Sequence, residues 1–303
     1  MNQPARSTTR SDYQKRILRV LVHVQTHLDE CLPLEDLASV AHFSPFHFHR
    51  IFRGLVGESV QGHIRRLRLE RAAHRLKFTG EPVTRIAFEA GYETHEAFTR
   101  AFRALLDASP SEFRKQQRAM PFKKAPSGVH FSPDGALDHC QLPEKEDPPM
   151  EVRIETLAPM PVLFARHTGP YDQVGKTWNR LFAWAGPRRL VGPGLTTFGV
   201  AYDDPAVTPP DRLRYDACLA IDREIAGDGE IGTQTVGGGS YAVTRHVGPY
   251  ERLGDTYARL CGEWLPGSGR ELRSAPALEF YRNAPMNTPP EDLITDIYMP
   301  LED

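Results

Sequence analysis

Apolar residues at helical spacing fill the first part of the chain and form two similar patterns. The first, from Leu34 to Arg53, predicts a short helix, a turn at His42 and a second helix capped by Ser44. The second, from Val83 to Arg103, places Gly91 at the end of its first helix, where a left-handed conformation is cheap without a Cβ. Helix, turn and helix is a geometry that lays the second helix into a DNA major groove.

A longer amphipathic helix, Val60 to Phe78, is predicted between the two patterns, with Ile64, Leu67, Leu69, Ala72 and Leu76 on its buried side. The segment from Ser11 to Gln117 resembles the DNA-binding domain of the AraC/XylS family of transcription regulators. The resemblance rests on Ile86–Tyr92, Phe98–Arg103 and Ser109–Arg114. It implies two helix-turn-helix units held by the long linking helix.

The same resemblance implies DNA contacts early in the second helix of each unit. An Arg side chain can bind guanine O6 and N7, and a Glu can accept from cytosine N4. The implied DNA-binding residues are Phe46, His49 and Arg50 in the first unit, and His95, Glu96, Thr99 and Arg100 in the second. Each could instead be a solvated surface residue. Five further arginines on the linking helix form a charge run, of which one or two would reach phosphate: Arg65, Arg66, Arg68, Arg71 and Arg75.

The C-terminal half contains an internal repeat of a different kind. Arg166–Tyr171 recurs as Arg245–Tyr250 at an offset of 79, and nine of the 17 positions from Ala165 to Leu181 are identical at that offset. Each copy is predicted to be a strand, a Gly-Pro turn, a helix and two more strands. Val162–Thr168 and Tyr241–Val247 are the predicted first strands, and Met150–Thr156 is predicted as a separate opening strand.

The paired His-x-Gly-Pro-Tyr elements, the strand Glu279–Tyr281 and the ending Thr295–Leu301 resemble the GyrI-like effector-binding domain over residues 150–303. That family's fold is two strand–helix–strand–strand units related by a pseudo-twofold axis, with a ligand groove between them. The predicted fold class is therefore multi-domain: an all-α N-terminal domain with two helix-turn-helix units, and an α+β C-terminal domain of two pseudo-twofold-related repeats.

Glu279 is the sharpest ligand-binding candidate, because it lies between apolar Leu278 and Phe280 and the family places an acidic side chain in its groove. A carboxylate among aromatic rings attracts a cation. The candidate rings are Phe164, Tyr171, Trp178, Tyr241, Tyr250, Tyr257 and Tyr281. The alternative is that the rings are core and Glu279 faces water. His167 and His246 are expected to hold the turn before each helix.

Length and composition agree with two domains, here 1–118 and 150–303, joined by a proline-rich linker, 119–149. Residues 1–124 hold 21 Lys and Arg against 13 Asp and Glu, a net charge of +8, whereas the remainder carries −10. A basic N-terminal half fits a polyanionic partner.

Four widely spaced cysteines fit no CxxC site and predict reduced thiols in a cytoplasm. No signal peptide, membrane span, metal or cofactor is predicted. His130, His139 and Cys140 lie close in sequence, but their spacing matches no standard metal site.

The leading hypothesis is a sequence-specific transcription regulator that binds double-stranded DNA and senses a small cationic or amphiphilic molecule, with RNA polymerase as a further partner. No enzymatic activity is expected. Two alternatives remain open for the C-terminal half. It could hydrolyse reactive small molecules, with Glu279 and a tyrosine acting on water, or it could bind another protein.

Overall fold

The computed structural model describes residues 4–116, 125–137, 150–192, 194–223 and 225–303. Contacts divide the chain into two compact units. The helical unit contains Arg10–Phe43 and Phe52–Glu146, and the C-terminal unit contains Asp147–Asp303 with Ser44–Ile51 and the residues before Arg10. The predicted domain boundary at 118, much of the predicted linker, His139 and Cys140 lie outside the described residues.

Helices occupy most of the described residues up to 116. They are α1 Pro4–Thr26, α2 Leu34–Ala41, α3 Pro45–Val56, α4 Val60–Phe78, α5 Val83–Glu89, α6 His95–Leu106 and α7 Pro110–Gln116. The predicted helix caps are present: the Thr94 hydroxyl accepts from the Ala97 N–H at 3.1 Å, and the Ser44 hydroxyl accepts from the Phe46 N–H at 3.3 Å. Gly91, predicted to end a helix, has φ +85°. Local capping chemistry therefore sets the beginnings of α3 and α6 and the end of α5. Among the helices of the described residues we find none that could span a membrane.

The helical unit packs α5, α6 and α7 against α4 around three fully or nearly buried phenylalanines. The rings of Phe98 and Phe102 lie 5.4 Å apart, and those of Phe102 and Phe113 lie 5.5 Å apart. Phe98 and Phe102 both point inward, as the helical spacing predicts. The opposite face of α6 is consequently left at the surface.

Most of the arginine run on α4 is used inside the helical unit. Arg66 bonds Glu70 at 2.9 Å, Arg71 pairs with Asp29 at 2.8 Å, Arg68 donates to backbone carbonyls, and Arg75 pairs with Glu81 and Glu89. Arg65 is the exposed member of the run. Arg65 is thus the member of the run best placed for phosphate contact.

Residues 125–137, part of the predicted linker, pack onto the helical unit. The buried carboxylate of Glu70 accepts from the Phe131 N–H at 2.8 Å and contacts His130 Nδ1 at 3.1 Å. The Gln25 amide donates to the His130 carbonyl at 2.5 Å. Within the described residues no group of three His, Cys, Asp or Glu side chains is arranged to hold a metal ion.

The C-terminal unit is built on a closed antiparallel barrel of six strands in the order β1-β3-β2-β5-β6-β4. The strands are β1 Arg153–Thr168, β2 Thr197–Ala201, β3 Arg214–Ala220, β4 Ile231–Val247, β5 Ala277–Tyr281 and β6 Ile294–Pro300. Helix α8, Val174–Ala185, follows β1. Helix α9, Leu253–Arg259, follows β4 and continues through a π-helical turn, Leu260–Trp264, into α10, Leu265–Ser268.

The two predicted repeats are confirmed, because β1-α8-β2-β3 and β4-α9-α10-β5-β6 follow the same order. Within the repeats β3 pairs with β1 and β2, and β6 pairs with β4 and β5. The repeats join where β1 pairs with β4 and β2 pairs with β5. His167 and His246 hold the turns as expected: their Nε2 atoms donate to the carbonyls of Pro170 at 3.0 Å and Pro249 at 3.1 Å.

One strand prediction is corrected by the pairing. The opening strand and the first repeat strand are a single strand, β1, which pairs with β4 along nearly its whole length. Pro159 and Pro161 lie inside β1 and donate no hydrogen bond, which makes a break look natural in sequence. Pro159 pairs with Gly237, and the φ of +87° at Gly237 bends β4 locally to fit the proline. The many pairs on either side keep β1 continuous in spite of its two prolines.

Candidate functional site

Glu279 lies in the middle of β5 with a side chain only 7% exposed. Its carboxylate accepts two hydrogen bonds, from the Tyr257 hydroxyl at 2.9 Å and from the Tyr281 hydroxyl at 2.8 Å. Among the described residues, no Lys or Arg nitrogen forms an ion pair with it. The site therefore contains a buried carboxylate that has hydroxyl donors and lacks a direct countercharge.

A chain of aromatic side chains extends from the two tyrosines. The Tyr215 hydroxyl lies 2.8 Å from that of Tyr281, and the Trp178 indole donates to Tyr215 at 3.2 Å. The Tyr250 ring lies edge-on to Tyr281 at 5.5 Å, and the Tyr171 ring lies 6.1 Å from Tyr215. We name this set the aromatic groove, after the ligand groove that the family resemblance implies: Tyr171, Trp178, Tyr215, Tyr250, Tyr257, Tyr281 and Glu279.

Strand alternation decides which predicted ligand residues belong to the aromatic groove. Six of the eight predicted side chains come together there. Phe164 and Tyr241 instead pack on the opposite face of the sheet, in a cluster with Phe198 and Phe280. Tyr215 was not singled out from the sequence, because the second repeat has Thr295 at the equivalent position and the repeat pattern does not mark it.

The tyrosine hydroxyls of the groove keep their protons. Burial, followed by the charge of Glu279, raises the pKa of Tyr215, Tyr257 and Tyr281 well above its ordinary value. The same two causes raise the pKa of Tyr250. These hydroxyls therefore act as hydrogen-bond donors toward the carboxylate.

The first two turns of α3 also belong to the C-terminal unit, and they carry predicted DNA-reading residues. The Arg50 guanidinium carbon lies 4.0 Å from the centre of the Tyr257 ring, and its side chain is only 6% exposed. Arg50 Nε lies 4.0 Å from Asp204 Oδ2, the atom that His49 Nδ1 contacts at 2.8 Å. The guanidinium thus stacks on a ring whose hydroxyl bonds Glu279.

The charges around Arg50 favour its ionised form. Burial alone would lower the pKa of Arg50, but Tyr257, Asp204 and Glu279 outweigh it, so that the pKa is raised. Burial alone would raise the pKa of Asp204, and the His49 hydrogen bond together with the Arg50 charge lowers it to about 2. The contact is therefore an ionic one.

Two neighbouring residues connect the same segment to the rest of the C-terminal unit. His47 Nε2 donates to the Arg273 carbonyl at 3.0 Å, and the hydroxyls of Ser44 and Ser274 lie 3.1 Å apart. Burial and the Arg50 charge lower the pKa of His47 to about 3, so this imidazole is neutral. Phe46, the third predicted reading residue of this helix, is half-buried.

The predicted reading residues of the second unit are placed differently. His95, Glu96 and Arg100 are exposed on α6, and Thr99 is half-buried. Glu96 and Arg100 lie on the side of α6 away from buried Phe98 and Phe102, whereas His95 is exposed as the first residue of the helix. The predicted recognition face of α6 is therefore accessible, whereas His49 and Arg50 of α3 are not.

Comparison with known proteins matches both parts of the chain. Residues 150–302 match the GyrI-like small molecule binding domain, and residues 37–116 match a helix-turn-helix domain. The probable transcriptional regulator YgiV of Escherichia coli K12 is 41% identical over 107 residues, which are 35% of this chain and 66% of YgiV. The transposon Tn10 TetD protein of Escherichia coli is 31% identical over 98 residues, 32% of this chain and 71% of TetD. The crystal structure of the EcmrR C-terminal domain covers 51% of this chain and 98% of that one, with 20% identity and a TM-score of 0.41.

Proposed function

Since this chain belongs to the AraC-type helix-turn-helix transcription regulators and carries a GyrI-like small molecule binding domain, we propose that it recognises a DNA sequence through α3 and α6 and senses a small cationic molecule in the aromatic groove. Ligand binding would change how the DNA-bound protein engages RNA polymerase at a promoter. The protein would act in the cytoplasm, where its cysteines remain reduced.

The observation that carries the ligand class is the environment of Glu279. A buried carboxylate that forms no direct ion pair is costly, and two hydroxyl donors offset only part of the cost. A bound cation supplies a direct ionic partner, and aromatic faces add about 0.5–2 kcal/mol of cation–π attraction each. Five tyrosines and a tryptophan surround that carboxylate. These features support a flat or quaternary cation with an apolar body as the ligand.

The accessible face of α6 supports the DNA-binding part of the proposal. Arg100 and Glu96 are exposed and differ in charge, which suits them to different base edges. The basic excess of residues 1–124 favours association with the phosphate backbone. Arg65 on α4 adds an exposed charge close in sequence to the second unit.

Hydrolysis by the groove is the competing activity. A general base needs a carboxylate oxygen that can reach water. Both oxygens of Glu279 already accept from tyrosine hydroxyls that hold their protons. Binding without turnover therefore fits the groove better than hydrolysis does.

The proposal is tested with two isosteric ligands, benzyltrimethylammonium and its neutral carbon analogue neopentylbenzene. Calorimetric titration of the full-length protein should show that Glu279→Gln weakens the cation at least tenfold, about 1.4 kcal/mol, and leaves the neutral analogue nearly unchanged. Glu155→Gln is the matched control, because Glu155 also accepts from a tyrosine, Tyr298 at 2.7 Å, on the other face of the sheet.

Two results would contradict the proposal. Equal weakening of both ligands would mean that Glu279 shapes the groove sterically. Hydrolysis of 4-nitrophenyl acetate that disappears in Glu279→Gln and persists in Glu155→Gln would favour the enzymatic activity instead.

A further inference from the structure

The residue that stacks on Tyr257 is itself a predicted DNA contact. We propose that Arg50 is an internal cation of the aromatic groove, so that the groove holds α3 away from DNA until an external cation takes the place of Arg50. This regulation rests on the proposed function of the groove, and its first experiment needs no ligand. In this proposal the ligand controls whether α3, the first recognition helix, can reach DNA.

The contacts of Arg50 are those that a cationic ligand of this groove would make. Its guanidinium lies over the Tyr257 ring at 4.0 Å, and the hydroxyl of that ring donates to Glu279 at 2.9 Å. A second carboxylate, Asp204, stands 4.0 Å from Nε. An aromatic face and two nearby acids are thus already occupied by a charge from the protein.

The attachment does not depend on Arg50 alone. His49 contacts Asp204 at 2.8 Å, His47 donates to the Arg273 carbonyl at 3.0 Å, and Ser44 contacts Ser274 at 3.1 Å. These residues all lie in the first two turns of α3 or directly before it. The segment Ser44–Ile51 therefore docks as a helix surface, with Arg50 as its charged anchor.

Docking and base reading exclude each other at Arg50. A bidentate contact with guanine requires two nitrogens of the guanidinium to reach base edges in the DNA major groove. Arg50 is 6% exposed and His49 is 2% exposed in the docked position. By contrast, Arg100 of α6 is exposed and needs no release. The docked protein consequently has one of its two reading helices available.

Thermodynamic linkage gives the direction of the response. A cation that binds only the vacated groove shifts the population toward released α3, and DNA that binds released α3 raises the affinity for the cation by the same factor. The apparent affinity of each ligand is reduced by the fraction of protein that is docked. Removing Arg50 should therefore strengthen the binding of the cationic ligand, because that ligand does not contact Arg50.

The first experiment measures DNA binding without ligand, on a sequence selected from random duplexes by the full-length protein. Asp204→Asn keeps the acceptor for the Ala206 N–H, 2.9 Å away in the wild type, and removes the charge shared by His49 and Arg50. It should bind the selected duplex about tenfold more tightly than wild type. Asp228→Asn is the control, since it removes an exposed acid of the same unit that pairs with Arg188.

Equal affinity of wild type and Asp204→Asn would overturn the proposal, as would an equal gain in Asp228→Asn. Thermal unfolding checks that each variant is folded. Hydrogen exchange provides an independent measurement: amides of Ser44–Ile51 should exchange faster in folded Asp204→Asn than in wild type, and those of α6 should not. Unchanged exchange at Ser44–Ile51 would equally overturn it.

The second experiment measures ligand binding with benzyltrimethylammonium. Arg50→Met keeps an apolar side chain of similar length and removes the internal cation. It should bind this probe several-fold more tightly than wild type and bind the selected duplex more weakly. Unchanged probe affinity would overturn the competition. If neither protein binds the probe, the proposed ligand class is wrong. The DNA affinity and the hydrogen exchange of Asp204→Asn still decide whether the C-terminal unit holds α3 away from DNA.

Discussion

Gly199 on β2 and Glu279 on β5 are direct partners across the junction of the two repeats. They also hold equivalent places in the repeats, since β2 and β5 start 80 residues apart. A pseudo-symmetric pair of positions thus holds one carboxylate and one glycine. The aromatic groove therefore contains a single acid, and its two halves differ chemically.

The missing side chain at Gly199 makes room for a groove residue. A Cβ built there would lie 2.2 Å from the Tyr215 hydroxyl and 2.4 Å from a ring carbon. Tyr215 is buried and bonds both Trp178 and Tyr281. A side chain at position 199 equivalent to that of Glu279 would therefore clash with Tyr215. The hydrogen-bonded tyrosines that lead to Glu279 require glycine there.

Gly199→Ala should consequently displace Tyr215 and disturb the groove. Overpacking of this kind costs about 1–3 kcal/mol, and we expect a lower melting temperature together with weaker binding of benzyltrimethylammonium. Calorimetric scanning and titration measure both. Gly175→Ala on α8 is the control, because a Cβ there meets nothing within 4 Å and alanine favours a helix. A Gly199→Ala protein as stable as the control would show that Tyr215 moves without cost.

Arg100→Ala should weaken binding to the selected duplex by about 1–3 kcal/mol and weaken binding to random duplexes less. The reason is that Arg100 is exposed on the recognition face of α6 and can contact base edges. Fluorescence anisotropy measures both affinities. Arg85→Ala removes an equal charge from α5, where Arg85 pairs with Glu81 and Glu89. An equal loss of affinity for the selected and the random duplexes would mean that Arg100 contacts the phosphate backbone and does not read a base.

Salt dependence should report how many reading helices are engaged. With roughly six phosphate contacts from two units, the logarithm of the DNA-binding constant falls against the logarithm of salt concentration with a slope of about −5, and with half as many the slope is about −3. We expect the shallower slope for ligand-free wild type and the steeper one for Asp204→Asn. Identical slopes would mean that Asp204 does not control the engagement of α3.

Acid should release the segment Ser44–Ile51. The pKa of His47 is lowered to about 3 by burial and the Arg50 charge, so docking requires the neutral imidazole. Docking is at full strength above the ordinary value of 6.5 and weakens as pH falls below it, by about 1.4 kcal/mol per pH unit. At pH 5 the penalty is about 2 kcal/mol by the same relation. Asp204, which faces His49 and Arg50, stays ionised there because its pKa is about 2.

Hydrogen exchange of Ser44–Ile51, normalised to α6 at each pH, measures this release. Exchange should accelerate between pH 6.5 and 5 in wild type. His47→Gln retains a donor for the Arg273 carbonyl and does not titrate, so its normalised exchange should stay constant over that range. The same acceleration in both proteins would place the pH response in another group.

Local rules determined the elements of this protein. Helix α4 runs from Val60 to Phe78 as its apolar spacing predicts, Gly91 and Thr94 end and begin helices, and the repeat places equivalent histidines at both turns. Glu279 stands out because it lies between two apolar residues of a strand and because the family resemblance implies an acidic side chain there. Each of these features depends on residues close together in sequence or on the internal repeat, and can therefore be predicted from sequence.

Tertiary structure alone decided which side chains meet. Strand register placed Phe164 on one face and Tyr215 on the other, and neither assignment follows from residue type. Arg71 of α4 pairs with Asp29, and Arg68 donates to the carbonyls of Leu28 and Glu30, all of which lie far away in sequence. Arg50 has the same helical pattern as Arg100, yet only Arg50 is buried, against Tyr257 and Asp204. Charge and periodicity describe what a residue can do, whereas long-range packing determines which of those roles is available to it.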